Sequence, residues 1–249
     1  QHSDMAAAKL ILSYPVWKGT LSIGTEFTSS RIRGEYANAE QYVAASNTKI
    51  EEHNIAGFAE YGLKFGDITV NAGVRYENVK SYYYYFGELQ TEPSRRYSDW
   101  FPSASMSWNS DKWALQLAYT CKTQRPSYNS LRDEVQYDNR YTYEGGNPYL
   151  YPCIINNVDL NVVYDWLSFN AGYNYIDKPM VWIATLYQGN DIAFMRNVNF
   201  NHSKDVYVSI VASPRFGWYN PMAEIDYTQS FLSIDGFDIN KPSNRPCFN

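Results

Sequence analysis

The 249 residues are 45% hydrophobic and 17% aromatic, with 24 Tyr, 7 Trp, a net charge of −5 and a mean hydropathy of −0.49. No Lys/Arg stripe supports a nucleic-acid surface, and no apolar run reaches the roughly eighteen residues of a transmembrane helix. The three cysteines, Cys121, Cys153 and Cys247, are odd in number and irregular in spacing, and do not read as a disulfide framework or a zinc site. Low mean hydropathy does not exclude a β-barrel, which shows lipid only every second residue.

In chain order the alternation predicts about ten strands. The opening QHSDMAAAKL has neither the charged start nor the apolar core of a signal peptide. The first strand is Ala7–Tyr14, followed by a short turn, Pro15–Gly19. The second, Thr20–Arg33, puts Leu21, Ile23 and Phe27 opposite Ser22, Gly24 and Glu26. A long polar connection, Gly34–Ile50, leads to a third strand, Glu52–Phe65. Gly66-Asp67 is a hairpin turn. The fourth strand, Ile68–Tyr82, alternates most clearly, with Ile68, Val70, Ala72 and Val74 on one face.

Tyr83–Tyr97 reads as a second long connection, then come strands Ser98–Trp108 and Trp113–Thr123 around the turn Asn109–Lys112. The polar, tyrosine-rich stretch Gln124–Pro152 reads as a long functional loop. Strands Ile154–Tyr164 and Leu167–Tyr175 flank the turn Asp165-Trp166. A loop over Asp177–Asn201 follows, with room for strand extensions. Strands Lys204–Ser213 and Met222–Ile234 flank the turn Pro214–Pro221. The polar tail Asp235–Asn249 reads as a further loop.

The fold class is therefore all-β: an antiparallel up-and-down meander of about ten strands, part of a transmembrane β-barrel with short turns at one end and long loops at the other. Trp17, Trp108, Trp113, Trp166 and Trp218, five of the seven tryptophans, sit at the short turns, where an interfacial aromatic belt belongs. Tyr82–Tyr85 with Phe86, and Trp100 with Phe101, are placed at the opposite belt. A soluble sandwich also alternates, but has no reason to sort tryptophan to one end.

Little in the sequence points to catalysis. Gly145-Gly146 opens no helix and reads as a turn. His2, His53 and His202 are scattered. A lipolytic barrel would need a Ser and a His at one strand level, and nothing in the sequence singles out such a pair. Asp133, Glu134, Asp138 and Glu144 admit a calcium reading, but their spacing fits solvated surface charge better. No cofactor is implied. Glu26, Arg75, Glu77, Asp159, Glu224 and Asp226 belong on the lumen side, keeping it polar or lining a substrate path. Tyr128, Tyr137, Tyr141, Tyr143, Tyr149 and Tyr151 either stack on a ligand such as a sugar ring or pack the loops together. Cys121 and Cys153 flank the long loop, and whether they pair is open.

The motifs RPSY (Arg125–Tyr128) and NRYTYEGGNPYLYP (Asn139–Pro152) resemble the TonB-dependent receptors of the bacterial outer membrane. So do SYPVWKGTLSIGTEFT (Ser13–Thr28), NIAGFAEY (Asn54–Tyr61), AGVRYE (Ala72–Glu77), WFPSASMSW (Trp100–Trp108) and YIDKPMVW (Tyr175–Trp182). The resemblance extends over nearly all of residues 1–249. It implies a barrel segment of a longer precursor, with a plug domain before it and further strands after it. It implies outer-membrane localisation and non-enzymatic uptake of an oligosaccharide or other large nutrient. The implied partners are membrane lipid or lipopolysaccharide, the receptor's own plug, the TonB complex and a surface lipoprotein, with no nucleic acid. The alternative function is a soluble extracytoplasmic carbohydrate-binding β-domain. About ten strands are fewer than a large transporter needs, so an isolated segment must associate, close differently or join a larger particle.

Overall fold

A computed structural model describes residues 2–37, 43–189 and 191–233. Ten strands form one antiparallel sheet in which each strand's neighbours follow chain order. They are β1 (His2–Val16), β2 (Gly19–Tyr36), β3 (Ser46–Phe65), β4 (Ile68–Tyr85), β5 (Glu88–Asn109) and β6 (Trp113–Gln124). β9 (Cys153–Tyr164), β10 (Leu167–Asp177), β13 (His202–Ala212) and β14 (Ala223–Ser233) continue it. The predicted meander is borne out, and a single sheet of this breadth is not a sandwich. The tail beyond Ser233, with Cys247, lies outside the described residues.

The register separates two chemistries. One row across the sheet reads Leu63, Val70, Met106, Leu117, Leu160, Ala171, Val208 and Tyr227. The adjacent row, on the opposite face, reads Lys64, Thr69, Ser107, Gln116, Asn161, Asn170, Ser209 and Asp226. Strand alternation sends the first to lipid and the second to the lumen. The lipid face has defined limits. Trp108 and Trp113 stand near the short turns, and Tyr76 and Trp100 pair across β4 and β5 at 4.8 Å between ring centroids. Trp100 and Trp108 are eight residues apart on one face, roughly 26 Å along the strand, close to the apolar band of an outer-membrane barrel.

Above Trp100 the outer face turns polar, through Asn78 and Ser98 and then Ser29, His53, Lys80 and Arg96. This corrects the upper belt. Tyr82–Tyr85 lie beyond it, Tyr83 is buried, and Phe101 is buried on the lumen face.

Tyr83–Tyr97 is not a loop. β4 and β5 run on and join at Phe86-Gly87, both with positive φ, as a two-residue hairpin requires. The tyrosine run favours strand, and a bulge between Ser81 and Tyr83 absorbs the polar insertion, with Ser94 Oγ accepting from the Tyr83 N–H at 3.0 Å. At 22 residues, β5 is roughly 70 Å long, so its upper half stands clear of the membrane.

The two loops between β6 and β9 and between β10 and β13 are also structured. β7 (Val135–Asn139), β8 (Thr142–Gly145), β11 (Met180–Leu186) and β12 (Ala193–Asn199) form a second sheet in the order β11-β12-β8-β7. Its central contact, β8 with β12, is parallel. Sequence alternation is too short there to reveal the strands, because each is completed only by a partner from the other loop.

The assignment of faces is testable at mid-height. Val158 sits between Tyr119 and Tyr173 on the lipid row. Val158→Arg should destabilise the protein in bilayers by about 2–4 kcal/mol. Gln116→Arg, on the lumen face, should change urea unfolding by less than about 1 kcal/mol.

Candidate functional site

The lumen face holds a chain of alternating charges. Lys9 Nζ lies 3.8 Å from Glu26, whose carboxylate accepts from Arg75 Nη1 at 3.3 Å. Arg75 Nε donates to Glu77 at 2.6 Å. Arg125 binds the other oxygen of Glu77 and lies 3.9 Å from Glu52. Glu26, Arg75 and Glu77 were placed on the lumen side from alternation alone, and the register confirms it: Glu26 faces Ala56, which faces Glu77. Glu77 is only 8% exposed, and a carboxylate so covered is tolerable only when paired. Arg125 enters the sequence reading only as the first residue of the RPSY motif, with no role attached, and Glu52 carries no signal there. Arg125 belongs to the long loop, and only the folded register shows that two carboxylates await it.

From Arg125 the segment 124–152 folds onto the lumen face. The Tyr128 hydroxyl and Ser30 Oγ are 2.9 Å apart, and burial pushes the Tyr128 phenol pKa up. Asn147 N–H donates to the Ser130 carbonyl at 2.6 Å, and its side chain donates to the Asn197 carbonyl at 3.1 Å. Leu150 is 2% exposed beneath this strap. Gly145-Gly146 is not the expected turn. Gly145 ends β8, and a Cβ on Gly146 would lie 2.1 Å from the Arg132 carbonyl oxygen, so glycine permits close backbone approach.

The six loop tyrosines divide. Tyr128 is half-buried at the lumen wall. Tyr143 is buried between Tyr137 at 5.6 Å and Tyr187 at 5.0 Å, with Phe194 on the far side of Tyr187. These rings pack the small sheet. Tyr137, Tyr141, Tyr149 and Tyr151 remain exposed. Arg140 lies 4.6 Å from the Tyr141 ring centroid. Arg95 and Lys178 lie 3.6 and 4.7 Å from that of Tyr151, and Arg95 also donates to the Tyr149 carbonyl at 2.7 Å. The structure thus joins the long loop to the upper end of β5, a neighbour the sequence did not show.

A Ser–His pair does occur. Ser29 and His53 are register partners, with Oγ and Nδ1 3.0 Å apart. The pair lies on the outer face within a continuous ladder. No carboxylate within the described residues orients the ring, and nearby Glu51 is held by Arg31 at 2.8 Å and Lys49 at 3.4 Å. This is a cross-strand hydrogen bond rather than a base and nucleophile with an oxyanion site. Glu134 pairs with Arg132 at 2.8 Å, and among the described residues no three His, Cys, Asp or Glu side chains gather as metal ligands. Cys121 and Cys153 are both free thiols, and their register partners, Asn156 and Gln124, set them three steps apart along β6 and β9.

The Arg125 anchor sets a second expectation. Arg125→Ala leaves Glu77 and Glu52 covered and short of a cation, at a cost of about 3–5 kcal/mol. Limited proteolysis should then cut within residues 124–152 while the strands stay protected. Tyr128→Phe, which removes one hydrogen bond, should cost about 1 kcal/mol and leave the loop protected.

Solved structures that share this architecture include transporters and receptors. The copper transporter OprC matches with a TM-score of 0.64 and 14% identity, over 92% of this chain and 38% of that one. The FrpB iron transporter of Neisseria meningitidis matches at 0.60 and 14%, over 92% and 36%. The alcaligin outer-membrane receptor FauA of Bordetella pertussis matches at 0.52 and 14%, over 92% and 39%. The chain therefore spans less than two fifths of the length of each, and at this identity what is shared is the fold. No curated protein matches the sequence. The model of the outer membrane protein beta-barrel family matches residues 1–246, and this chain, with its apolar outer band and polar lumen, belongs to that family of the bacterial outer membrane.

Proposed function

We propose that the chain forms wall and extracellular cap of a TonB-dependent receptor that imports a scarce or large nutrient. The observation that carries this reading is the loop folded inward and held to the lumen face by Arg125, Glu77 and Glu52. A cap tied to the lumen wall can bind a ligand outside and alter the passage beneath it. The neighbours named as copper transporter, iron transporter and siderophore receptor support uptake as the activity class; their ligands do not carry over. A plug domain in the lumen, the TonB complex, a surface lipoprotein over the cap, and lipopolysaccharide around the band are the partners this function calls on.

Capture falls to the exposed Tyr137, Tyr141, Tyr149 and Tyr151. A tyrosine offers an apolar face and a hydroxyl, which suits a polar ligand with flat faces, an oligosaccharide among them. Tyr128 and Tyr143 hold the cap in shape instead.

The test is uptake by the intact receptor in cells whose own copy is deleted. A Tyr141→Ala/Tyr149→Ala receptor should reach the surface in normal amount but need roughly thirtyfold more nutrient for half-maximal uptake, since each ring face contributes about 1 kcal/mol. Collapsing the proton-motive force should stop accumulation in both. Uptake indifferent to the energised membrane would sink the receptor reading.

A further inference from the structure

β5 sits inside the sheet, yet half of it has a neighbour on one side only. Its ladder with β6 covers Ser103–Asn109 alone, whereas β4 accompanies it from Trp108 up to Arg95 and again beyond the bulge at Gln90–Glu88. From Arg95 to Pro102, the regular stretch below the bulge, no backbone hydrogen bond to any other described segment replaces the missing ladder. Pro102 lacks an N–H and ends the β6 pairing where such a gap is harmless. The free edge begins at Pro102, just below Trp100, and runs up to the extracellular side of the band.

A cavity of about 380 Å³ opens along this edge. Arg95, Arg96 and Lys178 line it, and so do Glu92, Asp99 and Asp177. None of the six forms an ion pair within the described residues. The contrast with the lumen is direct, since Glu26, Glu77, Arg75 and Arg125 are all paired there. Arg95 goes further: its Nε and Nη1 are buried without a hydrogen-bond partner, and its charge is met only by the Tyr151 ring and the Tyr149 carbonyl.

We propose that this cavity binds a short extended peptide with free termini, which adds as a strand to the open edge of β5. Main-chain hydrogen bonds to Arg95–Pro102 give the alignment, as in strand addition generally. The eight residues of edge span roughly 26 Å, enough for a peptide of about four to six residues. The ligand carboxylate is met by Arg95, Arg96 and Lys178, of which Arg95 and Lys178 share the Tyr151 ring, and its ammonium by Asp99 and Asp177 toward the membrane end of the cavity. Tyr151 supplies a flat wall opposite the edge. The proposal rests on the uptake-receptor reading only in taking the outward side as the capture side, and binding is measured without transport.

The probe is penta-alanine with free termini, titrated calorimetrically into the full chain in detergent. Three peptides are compared: the free form, the N-acetyl C-amide form, and a form N-methylated at alternate amides. The free form should bind, blocking the termini should weaken it about tenfold, and N-methylation should remove it. Arg96→Glu, an exposed side chain outside the lumen network, should weaken the free peptide by a similar factor while leaving the fold unchanged by circular dichroism. No binding of the free peptide at about 1 mM, or equal binding of the N-methylated form, overturns the proposal. Either result leaves uptake of another nutrient intact, whereas peptide binding without energised uptake in cells would overturn the receptor reading and keep this one.

Discussion

Saturation of backbone hydrogen bonds is the constraint on which the rest of this structure depends. Within lipid an unpaired N–H or C=O costs several kcal/mol, so every strand crossing the band must have a neighbour on each side. The β5–β6 ladder obeys this over Ser103–Asn109 and stops at Pro102, within three residues of the aromatic boundary at Trp100. Above that boundary water can satisfy the edge and the strands are free to diverge. The sheet is thus continuous where lipid demands it and opens where lipid no longer does.

The same boundary sorts the charges. Inside the lumen, Glu26, Arg75, Glu77 and Arg125 neutralise one another in sequence, each covered enough that loss of a partner is felt. At the cap's outer cavity the charges face a wide space and remain apart. One set fixes the loop in place, and the other is available to a visitor. Pairing, rather than the mere presence of charge, distinguishes the two sets.

Much of the wall was legible in the sequence because period-two alternation is enforced by two solvents. Ile68–Val74 and Trp113–Tyr119 announced their faces, and the two-residue turns at Gly66-Asp67 and Asp165-Trp166 fell where expected. Above the membrane both faces meet water, alternation loses its meaning, and polar strand resembles loop. Tyr83–Tyr97 was misread for that reason, as were β7 and β8, whereas β11 and β12 fall where the sequence left room for strand extensions. The tyrosines were legible as a group but not individually. Only packing shows that Tyr143 is a core residue and Tyr151 a surface one. The roles of Arg125 and Arg95 were invisible, because a cation's role depends on the partner that a distant strand brings or withholds.

The parallel ladder between β8 and β12 has a bearing on how the protein matures. Thr142–Glu144 and Ala193–Met195 meet across about fifty residues of chain, and the β9–β10 hairpin lies between them. Neither loop can complete its strand until both flanking hairpins have taken their places in the membrane. Closing so long a segment without help is entropically slow, while closing it on a finished wall is not. The cap therefore forms last, and a chain with a misplaced hairpin would show the cell surface two loose loops, one of them tyrosine-rich. That makes this small sheet a natural readout of correct insertion, open to whatever machinery inspects the outer surface.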